Sequence, residues 1–168
     1  DWLLKQIGPA DPQKGSGLVS SLESLSSKYE MVKLGLKGSP GAKGKAGKSA
    51  DDAPAERGNQ AERDAAKAAQ RDIVVADLHS RLATAVVTRR PFAERLALFW
   101  SNHFTVSQVN PKARGLAGAY EREAIRPNIA GSFETLLRAA ILHPGMLRYL
   151  DNQKSVGPHA DAVMGGGK

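Results

Sequence analysis

Residues 132–142 read Ser-Phe-Glu-Thr-Leu-Leu-Arg-Ala-Ala-Ile-Leu, and this stretch decides the fold class. Its apolar side chains recur at positions i, i+3, i+4, i+7 and i+8, which is the pattern of one face of an amphipathic α-helix. They are Phe133, Leu136, Leu137, Ala140 and Ile141. Ser132 precedes them, and a serine in that place caps a helix by accepting a hydrogen bond from a free N–H group of the first turn. We predict a helix that begins after Ser132 and turns this apolar face into the core.

The same three- and four-residue spacing recurs when the chain is followed outward from this helix. The apolar stripes are Leu18, Leu22, Leu25, Tyr29, Val32 and Leu36; Val74, Leu78, Leu82 and Val86; Phe92, Leu96, Phe99 and His103; and Leu116, Tyr120 and Ala124. Proline suits the first turn of a helix, so Pro91 and Pro144 predict two further helix starts. Because no convincing pair of strands is present, we predict an all-α fold, an irregular multi-helix array rather than a coiled coil.

A glycine- and lysine-rich stretch interrupts this pattern between residues 35 and 58. It has too few apolar side chains to offset the cost of ordering, which predicts a long disordered insertion. Residues 42–49 match a permissive phosphate-loop pattern, but the strand and helix that must flank such a loop are missing. We therefore predict four segments: an N-terminal helical segment (1–34), a flexible linker (35–58), a helical core (59–158) and a tail (159–168).

Composition restricts the classes of function without choosing among them. The net charge is +7, but four of the lysines, Lys37, Lys43, Lys45 and Lys48, lie in the linker, while the aromatic residues lie on predicted core stripes. A nucleic-acid partner is therefore not expected.

The chain has no cysteine, which excludes disulfides and thiolate metal ligands and fits an exported bacterial protein as well as a cytosolic one. No apolar run approaches the roughly 18 residues that a transmembrane helix needs.

Two blocks bring together residue types that carry chemistry. Phe99-Trp100-Ser101-Asn102-His103-Phe104 surrounds an Asn-His pair with aromatic rings, and His143-Pro144-Gly145-Met146-Leu147-Arg148-Tyr149-Leu150-Asp151-Asn152 adds a second histidine and a helix-end carboxylate. His103 shares a stripe with apolar residues, so we expect it to point inward and to hydrogen-bond or line a cavity. The candidate site residues are Asn102, His103, His143, Asp151 and Asn152; among them His103, His143 and Asp151 are the candidate metal ligands.

Charged residues are concentrated between Tyr120 and Pro127. Glu121 and Glu123 are two positions apart, so on an α-helix their side chains diverge and cannot form a paired acid site. Glu123, Arg122 and Arg126 are interpreted as a surface charge cluster.

Three motifs occur in order along the chain: Phe-Trp-x-Asn-His-Phe, Glu-x-Ile-Arg-Pro and His-Pro-x-Met-x-x-Tyr-Leu-Asp-Asn. In these motifs the chain resembles the large bacterial domain-of-unknown-function 1800 family, over about residues 77–158, with a weaker similarity at Trp2-Leu3-Leu4. Gly145 stands where alanine is common in that family. The resemblance implies a longer protein, in which an Asn-Glu-Asn…Ala-Arg-Glu…Glu-Leu-His segment follows Ser-Val-Gly-Pro, so this chain would be an N-terminal fragment. The family has no established reaction, so the resemblance indicates which proteins are related to this chain but implies no activity.

Two hypotheses about function follow. The first is a structural or interaction module, whose polar residues are helix caps and buried hydrogen bonds and whose partner is another protein or the remaining part of the same protein. The second is an enzyme or metal-binding protein, in which His103 acts as a base or ligand, Asp151 orients it or shares the metal, and a C-terminal segment completes the site.

Overall fold

The computed structural model describes residues 1–33 and 53–157, and the regular elements within these residues are all helical. The α-helices, numbered in chain order, are α1 (Trp2–Gln6), α2 (Ser21–Lys33), α3 (Ala53–Val87), α4 (Pro91–His103), α5 (Ala117–Tyr120), α6 (Phe133–Leu142) and α7 (Pro144–Tyr149). A π-helical turn (Glu121–Ile125) and a 3-10 turn (Arg126–Asn128) continue α5, and a second 3-10 turn (Asn152–Lys154) follows α7. The prediction of an all-α, irregular helical array is confirmed.

Local chemistry at the helix starts explains several of these boundaries. Helices α4 and α7 begin at Pro91 and Pro144 as predicted, because the N–H that proline lacks has no partner in a first turn. Ser132 caps α6 as predicted, and its Oγ accepts a hydrogen bond from an N–H of the first turn at 3.2 Å. Ahead of α2, Ser20 Oγ accepts from the Glu23 N–H at 3.2 Å, while the Glu23 carboxylate accepts from the Ser20 N–H at 2.7 Å. This reciprocal pair fixes the start of α2.

The core is built from small side chains around the π-helical turn. Half of the clustered buried apolar residues are alanines: Ala10, Ala93, Ala97, Ala113, Ala124 and Ala140. Such small residues let neighbouring backbones approach closely, and the π-helical turn is in contact with α4, α5 and α6. The predicted stripe Leu116, Tyr120 and Ala124 is buried.

Several of the predicted core stripes face solvent, and for these residues the prediction is wrong. The exposed members are Leu22, Tyr29, Leu78, Leu82, Val86, Phe92, Phe99, Phe133 and Ile141. In α6 only Leu136 and Ala140 are buried, whereas Leu137 is half-buried.

For α2 and α3, the apolar residues are exposed because these helices turn polar side chains inward, where the polar groups bond to other parts of the chain. In α2, Ser24 Oγ donates to the Gly115 carbonyl at 2.7 Å. One turn later, Lys28 Nζ donates to the carbonyls of residues 111 and 112 at 2.9 and 2.8 Å, and burial lowers the pKa of Lys28 to about 8. A helix held in this rotation leaves its large apolar residues on the outside.

Helix α3 begins at Ala53, so residues 53–58, which were expected in the linker, are helical. Pro54 lies in the first turn, where its fixed φ favours the helix, and the neighbouring alanine, glutamate and arginine residues are good helix formers. The rest of the predicted linker (35–52) and the predicted tail (159–168) lie outside the described residues.

Gly118 of α5 lies against the carboxylate of Asp77 on α3, and a side-chain carbon at residue 118 would overlap that carboxylate. We expect Gly118→Ala to destabilise the fold by about 1–3 kcal/mol, since the buried carboxylate or the helix must shift to make room. Urea unfolding followed by circular dichroism measures this loss. Gly157→Ala is the matched control, because a side-chain carbon there meets nothing within 4 Å. Equal midpoints for the two variants would contradict the prediction.

Candidate functional site

The π-helical turn Glu121–Ile125 is the centre of the polar interior. In this wider turn the N–H of Arg126 donates to the carbonyl of Glu121, five residues earlier. The same spacing brings the two side chains together, with Arg126 Nη1 3.1 Å from Glu121 Oε1. An α-helical register, on which the sequence interpretation relied, would not pair these two residues.

Arg126 is 2% exposed and is surrounded by acceptors. Its Nη1 lies 2.9 Å from Glu94 Oε1, its Nη2 also bonds Glu94, and its Nε donates to the carbonyl of Asp11 at 2.9 Å. The Glu121 carboxylate is shared further, accepting from Gln13 Nε2 at 2.7 Å. Burial alone would lower the pKa of Arg126, but Glu94 and Glu121 outweigh it and raise that pKa, so the guanidinium stays charged.

A second buried ion pair joins the π-helical turn to α3. Arg122 Nη1 lies 2.6 Å from Asp77 Oδ1, and Arg122 Nη2 donates to the carbonyl of Val19 at 2.8 Å. Burial raises the pKa of Asp77 more than the hydrogen bond and charge of Arg122 lower it.

The third polar group contains His143, which is buried at the junction of α6 and α7. Its Nδ1 accepts from the Gly145 N–H at 3.0 Å, so Nε2 carries the proton and donates to Glu123 Oε2 at 3.0 Å. The same Glu123 oxygen accepts from Ser21 Oγ at 2.7 Å. Burial lowers the pKa of His143 more than Glu123 raises it, while Ser21 and His143 together lower the pKa of Glu123.

These contacts correct the interpretation of Arg122 and Arg126 as surface charges, whereas Glu123 is exposed as expected. Glu121 and Arg126 are buried, and Arg122 and Glu123 are bonded to α3, to residues 19–21 and to the start of α7. The signal that could have indicated burial is that apolar residues flank these charges, namely Tyr120, Ala124 and Ile125, all fully or nearly fully buried.

The predicted site residues lie in different surroundings. Asn102 and Asn152 are exposed, and Asp151 is paired with Lys112. His103 is exposed rather than inward, because the face of α4 that is buried carries Ala93, Glu94 and Ala97. Among residues 1–33 and 53–157, no group of three or more His, Cys, Asp or Glu side chains is arranged to hold a metal ion.

Glu94, Glu121 and Arg126 form what we call the buried cluster. A pocket of about 200 Å³ lies beside it, between residues 9–13 and the 3-10 turn Arg126–Asn128. Arg122 and Arg126 form part of its wall, but their guanidinium groups are already bonded to Asp77 and Glu94. The remaining wall includes Pro9, Ala10, Pro12 and Pro127, so the pocket offers an apolar lining and no unpaired arginine.

His103 instead belongs to a continuous group of rings on the outside of the molecule, which we call the aromatic surface. Its members are Phe99, Trp100, His103, Phe104 and Phe133. Neighbouring ring centroids lie between 4.8 Å, for His103 and Phe104, and 6.3 Å, for Phe104 and Phe133. Phe99 and Phe133 are 56% and 55% exposed, so the surface presents large apolar area to solvent.

Glu94 and Glu134 allow the buried cluster to be tested with a matched pair of variants. Each is an acidic residue in the first turn of its helix, but Glu94 is buried against Arg126 and Glu134 is exposed. We expect Glu94→Ala to cost about 3–5 kcal/mol, because it leaves a buried guanidinium short of its counter-charge. Glu134→Ala should cost less than about 1 kcal/mol, the size of a helix-dipole effect. Similar urea midpoints for the two would show that the cluster adds no stability.

His143 makes stability depend on pH in a defined direction. Its folded-state pKa lies below the ordinary value of 6.5, so protonation favours the unfolded state. The contribution of His143 is present above pH 6.5 and is lost as the pH falls through the lowered folded-state pKa. We expect the thermal midpoint to fall further between pH 7 and pH 5 in the wild type than in His143→Asn, which keeps a capping side chain but does not titrate. A parallel fall in both proteins would contradict this assignment.

Comparison with known proteins extends the resemblance seen in the motifs. Residues 1–162 match the family described as "Protein of unknown function (DUF1800)". No curated protein and no solved structure matches the chain. In the described part of the chain, none of the helices has the length and apolar character needed to span a membrane. Since the match runs from α1 through the His143 block and beyond, the chain belongs to the DUF1800 family.

Proposed function

We propose that this chain is a protein-interaction module, a helical array that holds the aromatic surface ready for a partner protein. The observation that carries the proposal is the exposure of Phe99 and Phe133 within one continuous group of five rings. Aromatic side chains bury much area at low entropic cost, and they dominate the energetics of protein interfaces.

The elements beneath this surface support a binding role. Trp100 packs between Phe99 and Phe104, with ring centroids 5.0 and 5.6 Å away, so the exposed rings rest on partly buried ones. Trp100 and Phe104 are also packed against the buried core cluster. Rings held in place in this way lose little further freedom when a partner covers them.

The charge beside the rings favours a partner that is acidic where it meets them. Arg95, Phe99 and His103 follow one another at four-residue steps along α4, and all three are exposed. Carboxylates next to an apolar face of the partner would neutralise Arg95. The partner is therefore inferred to be another protein with an apolar face and adjoining acidic residues.

A photo-crosslinking experiment tests this proposal. Because the chain has no cysteine, His103→Cys provides a single attachment point for a benzophenone within the aromatic surface. We expect a discrete covalent product with one partner protein in cells that produce the chain. Phe99→Ser with Phe133→Ser should reduce its yield by at least about tenfold, because losing interface aromatics costs ~2 kcal/mol or more each.

Val109→Cys is the control attachment point, since Val109 is highly exposed and lies in a loop outside the aromatic surface. It should not give the same product. Circular dichroism checks that the serine variant remains folded. A product that survives the serine substitutions, or that joins only two copies of this chain, would contradict the proposal.

A further inference from the structure

Three positively charged side chains lie close to one another where α2 meets the segment before α5 and the end of α7. We call them the cationic cluster: Lys28, Arg114 and Arg148. Lys28 is 8% exposed, whereas Arg148 is half-buried and Arg114 is exposed. The cluster therefore extends from the interior to the surface, where a ligand can reach it. A buried cation is costly unless its charge is matched, so this arrangement needs an explanation.

Hydrogen bonds to the backbone hold together the three parts of the chain that carry these residues. Lys28 Nζ donates to two successive carbonyls, three and two residues before Arg114, at 2.9 and 2.8 Å. In the same segment, Asn110 Nδ2 donates at 3.4 Å to the carbonyl of Tyr149, which follows Arg148 in α7. The segment before α5 thus bonds to α2 and to α7, and the fold itself brings the three charges together.

The described part of the chain does not neutralise this cluster. Burial, and then the charges of Arg148 and Arg114, lower the pKa of Lys28 to about 8, and no carboxylate among the described residues opposes them. The carboxylate of Asp151, just after α7, is bonded to Lys112. Arg148 makes no hydrogen bond or ion pair with the described residues. An ammonium has three N–H donors, and the two carbonyls leave one donor of Lys28 unused.

The donors of the cluster match the chemistry of a phosphate group. Guanidinium groups bind phosphate oxygens in pairs, whereas an ammonium acts as a point charge. Arg114 uses only its Nε within the described chain, donating to the carbonyl of Gln108 at 3.3 Å. A phosphate monoester carries a charge of about −1.5 to −2 at neutral pH and three acceptor oxygens. A carboxylate, with one negative charge and two oxygens, would leave more of the positive charge unmatched.

We propose that the cationic cluster is a binding site for the phosphate group of a small phosphate monoester. Arg114 and Arg148 bind the phosphate oxygens from the surface, and Lys28 adds positive charge from the interior. Because the site is built from three parts of the chain, it exists only in the folded protein, and a bound monoester therefore stabilises the fold. The cationic cluster and the aromatic surface have no residue in common, so each proposal can fail without the other.

The test compares two small ligands by isothermal titration calorimetry at near-physiological ionic strength. Glycerol 3-phosphate is a monoester, and dimethyl phosphate is a diester that carries a single negative charge. We expect the monoester to bind at least about tenfold more tightly, a difference of ~1.4 kcal/mol, because its second charge is matched by the cluster. The monoester should also raise the thermal midpoint of the chain, whereas sodium chloride at the same ionic strength should not.

Matched variants separate the cluster from the general positive charge of the chain. Arg148→Gln and Arg114→Gln should each weaken the monoester at least about tenfold, because each removes a charge-assisted contact. Arg138→Gln is the control, since Arg138 is an exposed arginine of α6 and is not among the charges that act on Lys28. It should leave the affinity nearly unchanged. Circular dichroism checks that each variant is folded.

Three results would each overturn the proposal. The first is that the monoester does not bind, and the second is that the diester binds as tightly. The third is that Arg138→Gln weakens binding as much as Arg148→Gln does, since the monoester would then be attracted only by the net charge of +7.

Discussion

The buried bond between Arg126 and Glu94 is the interaction on which the arrangement of helices depends. A guanidinium removed from water is costly unless its donors are matched, and here Glu94, Glu121 and the Asp11 carbonyl match them. These acceptors come from α4, the π-helical turn and the segment after α1. One side chain therefore holds three parts of the chain in position, and a relative shift of any of them would leave buried charge uncompensated.

Local signals in the sequence were enough to predict where α4, α6 and α7 begin. Pro91, Pro144 and Ser132 act through their own backbone geometry or through a neighbour in the first turn, and the structure has all three in the predicted roles. Periodicity, in contrast, indicates which side of a helix is apolar and not which side is buried. Helix α3 shows the difference, because Asp77 is buried through a bond to Arg122, 45 positions away in sequence. A pairing between residues so far apart in the sequence produces no periodic pattern within either helix.

Of the predicted site residues, only His143 belongs to the buried polar groups around the π-helical turn. His143 was expected as a ligand or a structural histidine near a helix end, and it lies at such a junction, bonded to Glu123 and to the backbone of Gly145. Glu121 and Glu123 were expected to diverge because an α-helical turn was assumed for residues 121–125. The π-helical turn changes the direction of each side chain there, and no residue within the turn marks it in advance.

The small size of the core side chains links the fold to its surfaces. Alanines such as Ala93, Ala97 and Ala124 let the helices pack closely around a polar centre, and this centre occupies the interior positions that large apolar residues usually fill. Phe99 and the leucines of α3 consequently lie outside, on helices held by the buried ion pairs of Glu94 and Asp77. Surfaces held in this way need no rearrangement before they bind, so a partner gains the full apolar contact without first separating charges in the interior.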